Sequence, residues 1–275
     1  MTTFDFDLVG KIGSMALIRR DDNDIDYNIF SRMGRELRPG MIWVSSGATE
    51  IGRLDYMRRQ QGELIGDLDD IKADYAAQGQ AILIENYRRF IPQKYGVRQV
   101  LVEHQHFNDP EKREFLRRLF IRAAQQNAIP IVNYNDSVSF EENRKMELNR
   151  YMQSGDHVVE CIDNDETAAV ITSLVRSRLL LILTSVEGIY RDASDPSTLV
   201  REVGGKDINE VLDNIRQLEQ SCVGSSRPGA NGARAKLAYV SEPVKQGTKV
   251  IIGHARHKIS DLISGGAPCT VIGVR

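Results

Sequence analysis

An acid and amide cluster, Asp163-Asn164-Asp165-Glu166, stands directly ahead of the helical pattern Thr167-Ala168-Ala169 and the apolar run Leu179-Leu180-Leu181-Ile182-Leu183-Thr184. Carboxylates at the mouth of a strand-flanked helix are costly to place unless they organise something charged. Lys11 near the start and Lys236 near the end carry the opposite charge. Residues far apart in the chain are therefore expected to converge on a highly charged substrate, with phosphate the first candidate.

Three loops could serve such a substrate. Ser45-Ser46-Gly47-Ala48-Thr49 closes an apolar run and opens a helix, where free N–H groups and the helix dipole favour an anion. The same residues would also make a plain capped helix start with a glycine turn. Lys11-Ile12-Gly13-Ser14 follows the first apolar run, and its lysine could instead be solvated. Residues 221–236, which include Gly229, Asn231 and Gly232, form a glycine-rich segment running into a helix that carries Lys236. Composition alone reads it as a surface loop. The adjacent lysine favours a phosphate clamp, with Arg227 and Arg234 able to help.

Other chemistries find less support. Neither G-x-x-x-x-G-K-[ST] nor G-x-G-x-x-G after the first strand occurs. His104 and His106 lie two apart on an apparent strand end and so share a face, but no third ligand follows at a sensible spacing, and no metal site is expected. His157, His254 and His257 read as surface or core residues. Cys161, Cys222 and Cys269 are widely spaced with no CxxC pair, which argues against a disulfide framework or zinc site and fits a reducing, cytoplasmic setting.

The elements that must hold these residues are short apolar runs alternating with longer segments of helical period. Strands are expected at 6–11, 41–45, 100–103, 130–133, 179–184, 249–252 and 270–274, and helices at 25–37, 69–91, 110–127, 166–175, 230–245 and 259–263. Strands buried on both faces and joined by helical crossovers imply a mostly parallel sheet covered on both sides. Ligands then bind beyond the carboxyl ends of the strands, where the loops after residues 11, 45, 133 and 184 fall. Residues 139–156, rich in Glu, Asn and Arg, read as an exposed insertion with a short helix at 142–151.

With 275 residues the chain can bury a substantial core, and its net charge of -2 gives no electrostatic reason to expect nucleic acid. No run of 18 or more apolar residues is present, so no membrane span is expected, and the acidic start lacks the features of a signal peptide.

Lys11-Ile12-Gly13-Ser14, Ser45-Ser46-Gly47-Ala48, Gly52-Arg53, Gly79-Gln80, Pro130-Ile131-Val132-Asn133-Tyr134-Asn135-Asp136-Ser137-Val138, Asp163-Asn164-Asp165 and Leu183-Thr184-Ser185-Val186-Glu187-Gly188-Ile189-Tyr190 occur in that order. In this order they resemble the amino acid kinase superfamily, and within it the glutamate 5-kinase family. N-x-N-D-x-V followed by D-N-D is the specific part of the likeness, which runs from about residue 9 to the last strand.

The resemblance implies one domain over residues 1–275, folded as a three-layer αβα sandwich with a mostly parallel central sheet. Its acceptor lobe would run to about residue 175 and its nucleotide lobe over about 176–275. It implies ATP and Mg2+, small-molecule substrates, and a dimer or tetramer. Lys11 and Lys236 would contact the transferring phosphates, with Asp165 holding the lysines in place. Ser46, Gly47, Asn133, Asp136, Asp163 and Asn164 would contact the acceptor. Gly13, Ser14, Thr184, Ser185, Gly188 and Tyr190 would lie beside the nucleotide, with Gly229, Asn231, Gly232 and Lys236 closing over its phosphates. Glutamate is the expected acceptor. A related kinase acting on UMP, acetylglutamate or a small phosphate is the alternative, as is a non-catalytic sensor of nucleotide or amino acid.

The chain also departs from the family pattern. Met15 stands where a hydroxyl residue is usual, Ile162 precedes D-N-D in place of glycine, and Gly-Ala-Asn-Gly-Ala replaces a Gly-Gly-Met run. The connection from Asp136 to Asp163 is longer than usual, and an RNA-binding-like C-terminal domain is not expected.

Overall fold

A computed structural model describes residues 3–19, 21–139, 141–153, 158–161, 163–221 and 232–275. The chain forms two compact units: a middle unit, Gly13–Asn164, and a terminal unit made of Met1–Ile12 and Asp165–Arg275. The first strand joins the C-terminal half of the chain.

The chain opens with β1 (Phe6–Ile12) of the terminal unit. In the middle unit, β2 (Ile18–Arg19) and β3 (Asp24–Ile25) form a small antiparallel ribbon. There follow α1 (Tyr27–Glu36), β4 (Met41–Ser45), α2 (Ala48–Gln60), α3 (Leu68–Phe90), β5 (Gly96–Val102), α4 (Gln105–Asn108), α5 (Pro110–Gln125), β6 (Ala128–Tyr134) and α6 (Glu141–Gln153). β4 and β5 both pair parallel with β6. Every residue of β4 and β6 is buried, so these strands read as continuous apolar runs without alternation.

α2 and α3 touch backbone to backbone at two glycines. A Cβ on Gly79 would lie 1.8 Å from the Ala48 carbonyl oxygen, and one on Gly52 1.8 Å from that of Tyr75. Neither backbone can yield without parting the helices. Gly79→Ala is therefore expected to cost roughly 3 kcal/mol or more through overpacking. At the scale of this chain that lowers the thermal midpoint by about 6–12 °C, and a midpoint within about 2 °C of the parent would contradict the packing account. A buried hydrogen-bond chain also ties α3 to β4: Trp43 Nε1 donates to Tyr87 Oη at 3.0 Å, and Tyr87 Oη donates to Ser45 Oγ at 2.8 Å. The loop after β4 is thus held from two directions.

The terminal unit continues with α7 (Asn164–Leu174), β7 (Ser177–Thr184), β8 (Ile189–Tyr190), β9 (Leu199–Val200), β10 (Glu202–Gly205), α8 (Ile208–Ser221), α9 (Ala233–Lys245), β11 (Lys249–His254), α10 (Ile259–Ser264) and β12 (Cys269–Val274). Five of its strands lie side by side in the order β10-β12-β11-β7-β1, parallel except for the β11–β12 pair, and β8 and β9 form a separate antiparallel ribbon. β1 and β7 share register from Phe6 opposite Ser177 to Ile12 opposite Leu183, which sets Lys11 beside Ile182 near the carboxyl end. Both units are α/β with mostly parallel strands.

Several elements differ from the sequence reading. β5 ends at Val102, so His104 caps and His106 joins the short helix α4; the two histidines do not share a strand face. Nδ1 of His106 turns back to the Glu103 backbone N–H at 3.0 Å, and His104 pairs with Glu147 of α6 at 2.8 Å. Helix α8 and the strands β2, β3, β8, β9 and β10 were not expected. Among the described residues, Cys161 and Cys269 are buried and form no disulfide. Gly229, Asn231, Arg227, Cys222, His157 and Ile162 lie outside the described residues. Among the described residues no helix is long and apolar enough to cross a membrane.

Candidate active site

The terminal unit brings Lys11, Asp165 and Lys236 together. Lys11 comes from the end of β1, Asp165 from the first turn of α7, and Lys236 from the start of α9, where its backbone N–H donates to the Gly232 carbonyl at 3.3 Å. Lys11 Nζ lies 2.5 Å from one Asp165 carboxylate oxygen, and Lys236 Nζ lies 2.9 Å from the other. The Asp165 side chain is 5% exposed, against 11% for Lys11 and 19% for Lys236. A single buried carboxylate thus holds apart two ammonium groups that would otherwise repel, and the set keeps one excess positive charge for an incoming anion.

Burial pushes the Asp165 carboxyl up, but Lys11 and then Lys236 outweigh it and hold the group below the ordinary aspartate range. Because the folded value lies below the unfolded one, the carboxylate contributes stability that is complete above about pH 4 and is lost as pH falls through the folded value. The stability gap between the parent protein and Asp165→Asn is therefore expected to stay constant between about pH 6 and 8 and to close only below about pH 4. Urea midpoints measured across that range check this, and a gap already closing near pH 6 would contradict it.

The middle unit assembles a second set, joined by amides. Asn164 Nδ2 donates to Ser46 Oγ at 2.9 Å and to Asn133 Oδ1 at 3.0 Å, while Asn133 Nδ2 donates to Gln80 Oε1 at 2.8 Å. Asn133 sits at the end of β6 with 2% of its surface exposed, and its Oδ1 also accepts from the Tyr134 N–H at 2.9 Å. Gly47 opens α2 with φ at +110°, a conformation that favours glycine, and a Cβ there would stand 3.1 Å from Leu17 Cδ1 and 3.8 Å from Ser14 Cα. Gly13 and Ser14 form the start of a tight 3-10 turn in that neighbourhood. Asp136 is exposed in the turn after β6, and Asp163 is half-buried immediately before α7.

The loop after β7 is held by its own contacts. Thr184 Oγ1 accepts from the Val186 N–H at 3.0 Å, and the Thr184 carbonyl accepts from Ala255 N at 2.9 Å. Ser185 is exposed. Gly188 packs so closely on β12 that a Cβ would lie 2.4 Å from Thr270 Oγ1, the atom that accepts from Ile189 N at 2.8 Å. Tyr190 is half-buried in the β8–β9 ribbon.

Two contributors escaped sequence reasoning. Gln80 fixes the Asn133 amide, and the helical spacing of α3 does not reveal which of its polar residues does so. Glu187 pairs with Arg256 and, at 2.7 Å, with His257 Nε2, joining the loop after β7 to the loop after β11. Among the described residues no group of three or more His, Cys, Asp or Glu side chains could hold a metal ion.

The sequence matches the amino acid kinase family over residues 9–254. It is 28% identical to glutamate 5-kinase of Enterococcus faecalis, over 90% of this chain and 87% of that one. In fold it is similar to the carbamate kinase of Giardia, with a TM-score of 0.57 and 13% identity over 98% of this chain and 99% of the other. It is similar too to the UMP kinase of Ureaplasma parvum, with a TM-score of 0.53 and 12% identity over 99% and 97%.

Proposed function

The chain belongs to the amino acid kinase family, and from that premise we propose that it transfers the γ-phosphoryl group of MgATP to the side-chain carboxylate of L-glutamate. The observation that carries the reading is the Asp165 carboxylate clamped between Lys11 and Lys236, with Asn164, the preceding residue, heading the amide set of Ser46 and Asn133.

Phosphoryl transfer asks the protein mainly for positioning and for neutralisation of charge on the γ-phosphoryl oxygens. Lys11 and Lys236 supply two ammonium groups for that purpose, and Asp165 fixes where they point. The nucleophile is a glutamate carboxylate oxygen, already ionised at neutral pH, so no general base is needed. It forms a bond to the γ-phosphorus as the bond from that phosphorus to the bridging oxygen of ADP breaks, and ADP leaves with the electron pair. No proton changes hands.

Asp165 is already ion-paired with a lysine at each oxygen, so the magnesium ion is read as arriving with the phosphates of its nucleotide. Thr184, Ser185, Gly188 and Tyr190, with Gly13, Ser14 and Gly232, are assigned to the nucleotide. Ser46, Gly47, Asn133, Asp136, Asp163 and Asn164 are assigned to the acceptor. Amides, a hydroxyl and carboxylates suit an amino acid. A nucleoside monophosphate would favour guanidinium groups facing its own phosphate.

The test is ADP release with MgATP against glutamate, aspartate, N-acetylglutamate and UMP. Glutamate is expected to stimulate release above the other three, and no stimulation by glutamate would overturn the assignment.

A further inference from the structure

Two loops of the terminal unit meet at one carboxylate. β7 and β11 are neighbouring parallel strands, in register from Lys249 opposite Leu179 to His254 opposite Thr184, so the loops after them leave the sheet side by side. Lys11 lies opposite Ile182 on the other flank of β7, so both loops leave at the end of the sheet that carries it. Strands spaced about 5 Å apart bring such loops within side-chain reach. Glu187 bridges them: its side chain is 13% exposed, one carboxylate oxygen meets the Arg256 guanidinium, and the other lies 2.7 Å from His257 Nε2.

The two sides of this bridge are unequally held. The loop after β11 is a tight turn: the Arg256 N–H donates to His254 Nδ1 at 3.0 Å, the His257 N–H donates to the His254 carbonyl at 3.1 Å, and α10 follows at Ile259. In the loop after β7, Ser185 and Val186 are exposed. That loop is tied to the sheet at Thr184, through Ala255, and at Gly188 and Ile189, against Thr270. Between those ties, Glu187 fastens it to the tight turn. Arg256 and His257 lie outside residues 9–254, which match the family, so the match does not itself supply this bridge. We propose that Glu187 is a positioning residue for the nucleotide: held by Arg256 and His257, it keeps residues 185–188 in the shape that receives MgATP. The proposal rests on the nucleotide assignment of that loop given above and adds the residues that would set its affinity. A loop already held loses less freedom when the nucleotide arrives, so the bridge acts on nucleotide binding and not on acceptor binding or transfer.

The experiment measures binding of MgAMPPNP, an ATP analogue that does not transfer its phosphoryl group, by titration calorimetry without acceptor. The parent protein, Glu187→Gln, Arg256→Met and the double variant are compared, and KM for MgATP and for glutamate is measured in each. Glutamine keeps the size of the side chain and removes its charge. Glu187→Gln is expected to weaken MgAMPPNP about tenfold and to raise KM for MgATP in step, with kcat within about threefold and KM for glutamate within about twofold. Arg256→Met is expected to give a smaller loss in the same direction. The double variant is expected to bind within about twofold of Glu187→Gln, because both changes remove the same bridge. Analogue binding by Glu187→Gln within about twofold of the parent, fully additive losses, or a KM for glutamate that rises as much as that for MgATP would overturn the assignment. A parent protein inactive with glutamate would overturn the acceptor reading alone, since the calorimetry needs no acceptor. A parent protein that does not bind MgAMPPNP would overturn the kinase reading, and this inference with it.

Discussion

Lys236→Met is expected to lower kcat about a thousandfold, the scale seen when one donor aimed at developing charge is removed, with the acceptor KM little changed. Methionine keeps the length and apolar stem of the side chain, so the loss reports the ammonium. Lys11→Met is expected to behave alike, since Lys11 meets the other oxygen of the same carboxylate at 2.5 Å. The two losses should not add: with either lysine gone, Asp165 no longer separates two cations, and the remaining one is free to collapse onto it. A double variant only slightly slower than either single one is the expected outcome in steady-state kinetics. A Lys236→Met protein that keeps more than about a tenth of the parent kcat would remove this residue from the transfer step.

The second large effect falls on the acceptor. Asn164→Ala removes both hydrogen bonds that its amide donates, leaving Ser46 Oγ and Asn133 Oδ1 without that donor. Asn133 keeps its bond to Gln80 and its Oδ1 still accepts from the Tyr134 N–H, so that side chain stays in place and what is lost is the Asn164 amide that spans Ser46 and Asn133. KM for glutamate is expected to rise about 100-fold, the scale at which polar recognition sites discriminate, while KM for MgATP stays within about threefold. Two-substrate kinetics separate these terms. Equal increases in both constants would mean that Asn164 supports the fold and not the acceptor.

Much of this arrangement is visible in the chain before any coordinates, and the reasons are particular. β1, β4, β6 and β7 are buried along nearly their whole length, so they announce themselves as apolar runs, and their carboxyl ends and the loops that follow carry Gly13, Ser46, Asn133 and Thr184. β5 sits at the end of its sheet and is partly exposed, so Gly96 to Gln99 lack that signal; the apolar pattern alone starts the strand late and runs it too far, which misplaces His104 and His106. In α8, Val211, Ile215 and Leu218 repeat at helical spacing and are buried, but the polar residues between them dilute the pattern.

What sequence does not show is the partner of each polar group. That one carboxylate, Asp165, takes a lysine on each oxygen depends on the first strand joining the C-terminal half of the chain. That Gln80 steadies Asn133 depends on α3 being held against α2 by contact at Gly52 and Gly79. These are pairings across more than 50 residues, which local periodicity cannot register.

The central claim concerns the bond that is made, and trapping the product tests it most directly. An acyl phosphate reacts with hydroxylamine to give a hydroxamate, whereas phosphate esters and anhydrides survive. With MgATP, glutamate and hydroxylamine, the parent protein is expected to accumulate the γ-hydroxamate of glutamate in step with ADP, and Lys236→Met to accumulate almost none. ADP formed from glutamate without hydroxamate, or hydroxamate yields unchanged by loss of Lys236, would contradict the account.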